Sequence, residues 1–187
     1  MLLRLFLFSG LLFHKIIWEI WKRKFTSVVH TKSANLAKRI LKLGKICFLL
    51  FLLVQALFLD LFPIRNASRI VMYSGLLLFS LGLCMSVVAR IGLGHNWTDV
   101  EDQQVMPNQT LVTRGIYRYV RHPIYAGDVL LVVGFELALQ SWLFLLGLPI
   151  ALVVVRQARR EERLLTEAFP EYREYCSQTK RFIPFVV

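Results

Sequence analysis

One stretch limits what this chain can become more than any other. Ile70–Ala89 is twenty residues without a charge, closed at its ends by Arg69 and Arg90. As a helix it is about 30 Å long, the thickness of a bilayer's hydrocarbon core. The rest of the chain agrees with that reading. Of 187 residues, 56% are hydrophobic and 19% charged, yet 23 Lys/Arg against 12 Asp/Glu leave a net charge of +11. Soluble domains carry roughly 45–50% apolar residues, so this chain has more than a core needs. Its hydrophobicity excludes disorder, and three scattered cysteines exclude a small disulfide scaffold. A nucleic-acid binder is basic without being greasy, whereas a multi-pass membrane protein with basic loops is both.

Leu41–Ile64 is a second span, with Ile46–Leu59 uncharged and Lys42 and Lys45 placed to snorkel at one end. Leu2–Trp21 is a weaker third, carrying His14, Lys15 and Glu19. No small-residue cleavage site follows it, so it reads as a retained span rather than a signal peptide. Beyond a polar stretch from Gly92 to His122, Pro123–Leu139 and Trp142–Val155 are two shorter apolar segments. The link Gln140-Ser141 is short enough to require an antiparallel hairpin. Pro123 suits a first helical turn. Pro149 is expected to kink the last span by releasing the Leu145 carbonyl. That helix then continues into water as Arg156–Phe169. The expectation is an all-α integral membrane protein of about five transmembrane helices. Residues 1–91 hold three spans and a basic loop; residues 92–187 hold a second loop, the hairpin and a helical tail.

Charge bias orients these spans. Lys22–Lys45 contains eight Lys/Arg and no acid, while Asp60–Arg69 has only Arg65 and Arg69 against Asp60. Positive-inside then puts the first loop, the Gly92–His122 segment and the C-terminal tail in the cytoplasm, with the N-terminus outside. Cys47 and Cys84 fall in spans and Cys176 in the tail, where all three are expected to be reduced. The Asn-x-Ser/Thr triplets at Asn66, Asn96 and Asn108 are read as chance. His14, His30, His95 and His122 are dispersed and no cysteines have ligand spacing, so no metal is expected.

Two membrane-proximal segments concentrate the unusual chemistry. Leu111–Gly127 mixes Arg118, Tyr119, Arg121, His122, Pro123 and Tyr125. An interfacial anchor accounts for Tyr119 and Arg118. It does not account for an imidazole, a restricted backbone and a tyrosine packed at one helix start, which fit a site better. Arg156–Leu165 read alone is a solvated, mixed-charge helix face. Both segments belong to the same hairpin and the same side of the membrane, however. His122 and Tyr125 are therefore expected near Arg156, Arg160 and Glu161, in a concavity suited to a zwitterionic cofactor. Asp128 either supports that site or makes a helix–helix hydrogen bond. Glu136 is expected to reach the headgroups at the far boundary.

The set Gly115-x-Tyr117-x-x-x-Arg121-His122-Pro123-x-Tyr125-x-Gly127, then Glu161-Glu162-x-Leu164, then Tyr172-x-x-Tyr175 and Pro184 resembles the isoprenylcysteine carboxyl methyltransferase family. That family groups with membrane phospholipid methyltransferases. The likeness runs from about Leu93 to Phe185 and includes Leu93-Gly94-x-Asn96-Trp97 and Thr110-Leu111-Val112. Each piece is weak and the combination is specific. Phe169-Pro170-Glu171-Tyr172 is one residue shorter than the commoner Phe-Gly-x-x-Tyr form. The resemblance implies a cytoplasm-facing S-adenosylmethionine site, covered by the helical tail. Thr110, Leu111, Val112, Tyr117, His122, Pro123, Ile124 and Tyr125 would line the cofactor. Glu161, with Arg156, would border a lipidic or prenylated methyl acceptor, and with His122 these are the candidate catalytic residues. The host membrane would be the cell membrane, or the endoplasmic reticulum in a eukaryote.

Methyl transfer from a sulfonium needs alignment and desolvation more than a strong acid or base. A carboxylate acceptor needs no proton removed, whereas a lipid amine would need Glu161 or His122 as base; the residues leave both open. Two other classes compete. Sterol reductases resemble the C-terminal part, which would make this an NADPH-dependent membrane reductase, although those chains are much longer. A non-enzymatic scaffold or small transporter needs only the bland reading of each segment.

Overall fold

The computed structural model describes residues 1–25, 36–96 and 109–184. Trp97, Asn108, Phe185 and part of the Lys22–Lys45 loop lie outside them. The described residues form helices α1 (Leu2–Phe25), α2 (Leu36–Phe58), α3 (Arg69–Leu93), α4 (Pro123–Ala138), α5 (Gly147–Ala168) and α6 (Tyr172–Gln178). Short 3-10 turns at Gly94–Asn96, Gly115–Arg118 and Trp142–Leu146 join or extend them.

The fold is all-α, as expected, but the number of spans is not about five. Among the described residues three segments are long and apolar enough to cross a membrane: Arg39–Phe58, Arg69–Asn96 and Trp142–Ala168. The two others fail for different reasons. α1 has the length but carries Arg4, Lys15 and Glu19 within it. α4 is very apolar but has 16 residues, about 24 Å of helix against a ~30 Å core. The shortfall follows from packing, since α4 is enclosed by its neighbours rather than by lipid. It runs antiparallel to α3 along its whole length.

That seam is unusually close because its contact positions are small. A Cβ built on Gly75 would lie 2.2 Å from the Ala138 nitrogen, and one on Gly134 would lie 2.2 Å from the Phe79 nitrogen. Gly82 and Gly127 repeat the pattern against Leu131 and Ser86. Between apolar helices in lipid there is little hydrophobic driving force, so association rests on this close contact. Beside the seam, Phe79, Phe135, Leu131 and Ala138 join Leu7 and Leu11 of α1 and Leu52 and Ala56 of α2 in one core. Phe79 and Phe135 meet at 6.4 Å between ring centres.

Each end of the bundle is tied by polar bonds. At one end the α2–α3 connection meets the hairpin link: Ile64 N–H donates to the Gln140 carbonyl at 2.7 Å and Trp142 N–H to the Phe62 carbonyl at 2.9 Å. Here Glu136 is buried, accepting from Gln55 Nε2 at 2.9 Å, and does not reach the headgroups. Pro149 also departs from expectation. The chain changes from 3-10 to α geometry at Gly147, so the proline sits in the first turn of α5, where its missing N–H leaves no carbonyl stranded. The opposite end holds the candidate site.

Candidate functional site

The position of His122 begins with its neighbours in sequence. A following proline bars the α region, and His122 has φ −121° and ψ 57°. Pro123, fully buried, then opens α4. The backbone of His122 is used at both ends: its N–H donates to the Arg181 carbonyl at 3.0 Å, and its carbonyl accepts from Ala126 N–H at 3.1 Å. The tail lies alongside. Arg121 N–H donates to the Lys180 carbonyl at 2.8 Å, and Lys180 N–H to the Tyr119 carbonyl at 3.2 Å. Tyr175 of α6 adds a hydroxyl bond of 2.6 Å to the Tyr117 carbonyl.

Glu162 on α5 gathers the charges of three segments. It accepts from Arg121 Nε at 2.9 Å and, in bidentate fashion, from Arg181 Nε at 3.0 Å and Nη2 at 2.6 Å. His122 Nε2 lies 3.2 Å from the same carboxylate. Arg121 also donates to the carbonyls of Cys176, at 3.1 Å, and Thr179. Charge-assisted bonds of this kind are worth about 1.5–3 kcal/mol each. With its lone pairs occupied by three cationic or imidazole donors, Glu162 is a fastener rather than a base.

Glu161, its neighbour in sequence, faces elsewhere. Its Oε2 is 3.8 Å from His122 Nδ1, and its side chain keeps 41% exposure against 13% for Glu162. The Tyr125 hydroxyl lies close to Glu161 and Gln157. The Tyr125 and His122 rings stack at 5.5 Å with 15° between planes, and Phe182 of the tail closes on His122 at 5.9 Å. The result is an aromatic face with one accessible carboxylate beside it.

The other expected residues are distributed around this centre. Tyr117 is buried, and its hydroxyl donates to the Ala89 carbonyl at 3.2 Å. Burial, then the Glu161 charge, push that phenol above its ordinary range, so it stays protonated. Thr110 is exposed, its N–H bound to Asn96 Oδ1 at 2.7 Å and its hydroxyl to the same atom at 3.2 Å. Leu111 and Val112 are half-buried in the extended lead-in, and Ile124 is half-buried in the first turn of α4. Arg156 and Arg160 are exposed on α5, and neither makes a hydrogen bond or ion pair among the described residues. Asp128 accepts from Ser86 Oγ at 2.7 Å across the α3–α4 seam, and His14 Nε2 of α1 lies 3.3 Å from it. It is thus a helix–helix hydrogen bond next to the site. The sequence reading missed Glu162, Arg121 and Arg181 as a unit. One signal was available: Ala158 is the small, buried residue in an otherwise charged turn of α5, and Glu162 follows it by one turn on the same face.

These features define a class: a helical membrane protein with a polar, aromatic-lined site where a short enclosed helix meets the end of a long apolar one. The family described as phospholipid methyltransferase matches residues 70–172. The protein-S-isoprenylcysteine O-methyltransferase of Saccharomyces cerevisiae is 30% identical over 97% of this chain and 79% of its own length. The human protein of that name is 31% identical over 60% of this chain. A cobalt-zinc-cadmium resistance protein of Cupriavidus metallidurans is 39% identical over 41% of it. The matched stretches span only 41% and 37% of those last two proteins. A solved structure of a eukaryotic intramembrane Ras methyltransferase shares the fold, with a TM-score of 0.63 over 98% of this chain and 68% of that one, at 22% identity. The chain belongs to the isoprenylcysteine-carboxyl-methyltransferase-like family, related to the membrane phospholipid methyltransferases.

Proposed function

We propose that this protein is an integral membrane methyltransferase that uses S-adenosylmethionine to methylate the carboxylate of an isoprenylcysteine-like, membrane-embedded acceptor. One observation carries the reading within this family: His122, Tyr125 and Glu161 converge at the α4–α5 junction beside apolar helix surface. The donor set fits the cofactor. A Tyr125–His122 face suits adenine or a sulfonium by stacking or cation–π contact, worth ~0.5–2 kcal/mol. The accessible Glu161 carboxylate suits an ammonium, and Arg156 suits a carboxylate. Thr110, Leu111, Val112, Tyr117, Pro123 and Ile124 are the further candidates to line it.

When bound, the cofactor supplies a methyl group on an activated sulfonium. The chain's own residues then have to orient and dehydrate. Pro123 fixes the start of α4, and the backbone bond to Arg181 fixes His122 there. Phe182 and the Tyr125 ring exclude water from one side of the imidazole. Glu162 is saturated by cations, so it is not available as a base. This suits a carboxylate acceptor, ionised at neutral pH from a pKa of about 3.5. A second reading, N-methylation of a phospholipid amine, is favoured by the description of the family that matches residues 70–172. It would need Glu161 to remove a proton.

The basic Lys22–Lys45 loop supports a cytoplasmic site. The test is to incubate the purified protein with methyl-labelled S-adenosylmethionine and whole membranes. Alkali-labile label released as methanol is expected. Alkali-stable label in the lipid extract would replace the carboxylate by the amine. No label transferred, with no cofactor binding by calorimetry, would sink both.

A further inference from the structure

The face of α5 that points away from Glu161 forms one wall of a cleft that the methyl-transfer chemistry does not use. Arg159, Glu162, Arg163, Thr166 and Glu167 of α5, Arg173 and Cys176 of α6, and Arg181 line a shallow groove of about 660 Å³, open to solvent. Of its four guanidiniums, Arg181 is held by Glu162. Among the described residues, Arg159, Arg163 and Arg173 carry no hydrogen bond or ion pair, and the one carboxylate facing them besides Glu162 is Glu167. Three guanidiniums facing one carboxylate around an open groove form a receptor for an anion with several oxygens, because each can offer a two-pronged donor.

Height along α5 selects the occupant. The apolar part of the helix ends at Val155. Arg159 follows by four residues, about 6 Å of rise, and Arg163 by about 12 Å. A headgroup layer is roughly 5–7 Å deep on each side of the hydrocarbon. Arg159 therefore stands at headgroup level, and Arg163 and Arg173 can reach down to it on flexible stems. A lipid phosphate arriving along the lower part of α5 meets the cleft edge-on, with its tails beside the exposed Leu148 and Leu152 on the same face.

We propose that the cleft between α5 and α6 is a binding site for the phosphate of an anionic phospholipid headgroup, separate from the methyl-transfer site. It ties the α5–α6 corner to the membrane surface and makes the stability of that corner depend on lipid charge.

The experiment compares the full chain in nanodiscs of phosphatidylcholine alone and of phosphatidylcholine with 30% phosphatidylglycerol, following thermal unfolding and lipid retained in native mass spectra. The wild type is expected to melt several degrees higher with phosphatidylglycerol and to retain it. The gain should shrink by more than half between 50 and 500 mM NaCl. The R159Q/R163Q/R173Q variant should melt like wild type in phosphatidylcholine and lose most of the gain, while the triple Arg→Lys variant keeps part of it. An equal gain in wild type and the Gln variant overturns the proposal. So does a full gain from inorganic phosphate in phosphatidylcholine discs, which would mark a soluble-anion site. A gain from an acidic peptide but not from phosphatidylglycerol overturns it in favour of a protein partner. If the Gln variant does not fold, the wild-type lipid and salt arms decide alone.

Discussion

Glu161 and Glu162 lie about 100° apart around α5, so the helix can turn only one of them into the corner where Arg121 and Arg181 wait. Glu162 takes that place, with a side chain 13% exposed, and Glu161 is left facing Tyr125 and His122. Removing the charge at Glu162 leaves two guanidiniums without their counter-charge, one of them 10% exposed. Glu162→Gln is therefore expected to lower stability by about 2–4 kcal/mol, measured by thermal denaturation in detergent. Glu161→Gln should change stability by less than about 0.5 kcal/mol yet reduce methyl transfer at least tenfold. Equal loss of stability in both variants would show that the two side chains share one role. A second residue-scale outcome concerns Cys176 of α6, half-buried beside Arg121 and Glu162. Burial raises its thiol above the ordinary range, more than Arg121 lowers it. At any given pH less of it is thiolate than of a free cysteine. In a C47S/C84S protein, alkylation should be slower than for a free thiol at pH 8, and its rate should keep climbing beyond the pH at which a free thiol levels off. A profile matching free cysteine would contradict the burial.

Among the elements, the α3–α4 pair carries the most specific packing and was the least readable beforehand. Gly75, Gly82, Gly127 and Gly134 are spread over two helices, and only contact gives them a common meaning. Gly134→Ala puts a methyl group 2.2 Å from the Phe79 nitrogen, where backbone must move. A cost of about 2–3 kcal/mol or failure to fold is expected. Gly44→Ala on α2 meets nothing within 4 Å and should be neutral or stabilising by up to ~1 kcal/mol through helix propensity. Stability of the two variants in parallel decides it; equal effects would mean the seam is not close-packed. Elements whose identity rests on local signals were legible in advance. Ile70–Ala89 falls inside α3, Pro123 opens α4, and the Gln140-Ser141 link turns the chain back. Whether an apolar segment touches lipid or protein is not a local property. Hydropathy reads α4 as a membrane span because Leu, Val and Phe look alike in either setting. The division of labour between Glu161 and Glu162 was hidden for the same reason, since it depends on which face of α5 meets α4.

Across the molecule, the two bundle ends are fastened by different means. The hairpin end relies on backbone bonds between the α2–α3 connection and residues 140–142, supported by the buried Gln55–Glu136 pair. The site end relies on the C-terminal tail, which returns to 119–122 through backbone bonds, through Arg121 to the Cys176 and Thr179 carbonyls, and through Arg181 to Glu162. Tyr175, its phenol pushed up to about 12 by burial, anchors the tail on the Tyr117 carbonyl as a protonated donor. These ties all run to the segment bearing His122 or to α5, and the core of Leu7, Leu52, Phe79 and Phe135 uses no tail residue. Truncation after Glu171 should accordingly leave the helices inserted, with the three long apolar segments protected from protease in membranes. It should also free His122 from the Arg181 carbonyl and from Phe182, and Glu162 from Arg181. Methyl transfer is expected to fall to background and cofactor affinity by at least tenfold, read by label transfer and calorimetry on the same preparation. Retained transfer would remove the tail from any role in holding His122. A truncated chain that no longer inserts would instead show that the tail contributes to the fold of the whole bundle, which the separation of its contacts from the core argues against.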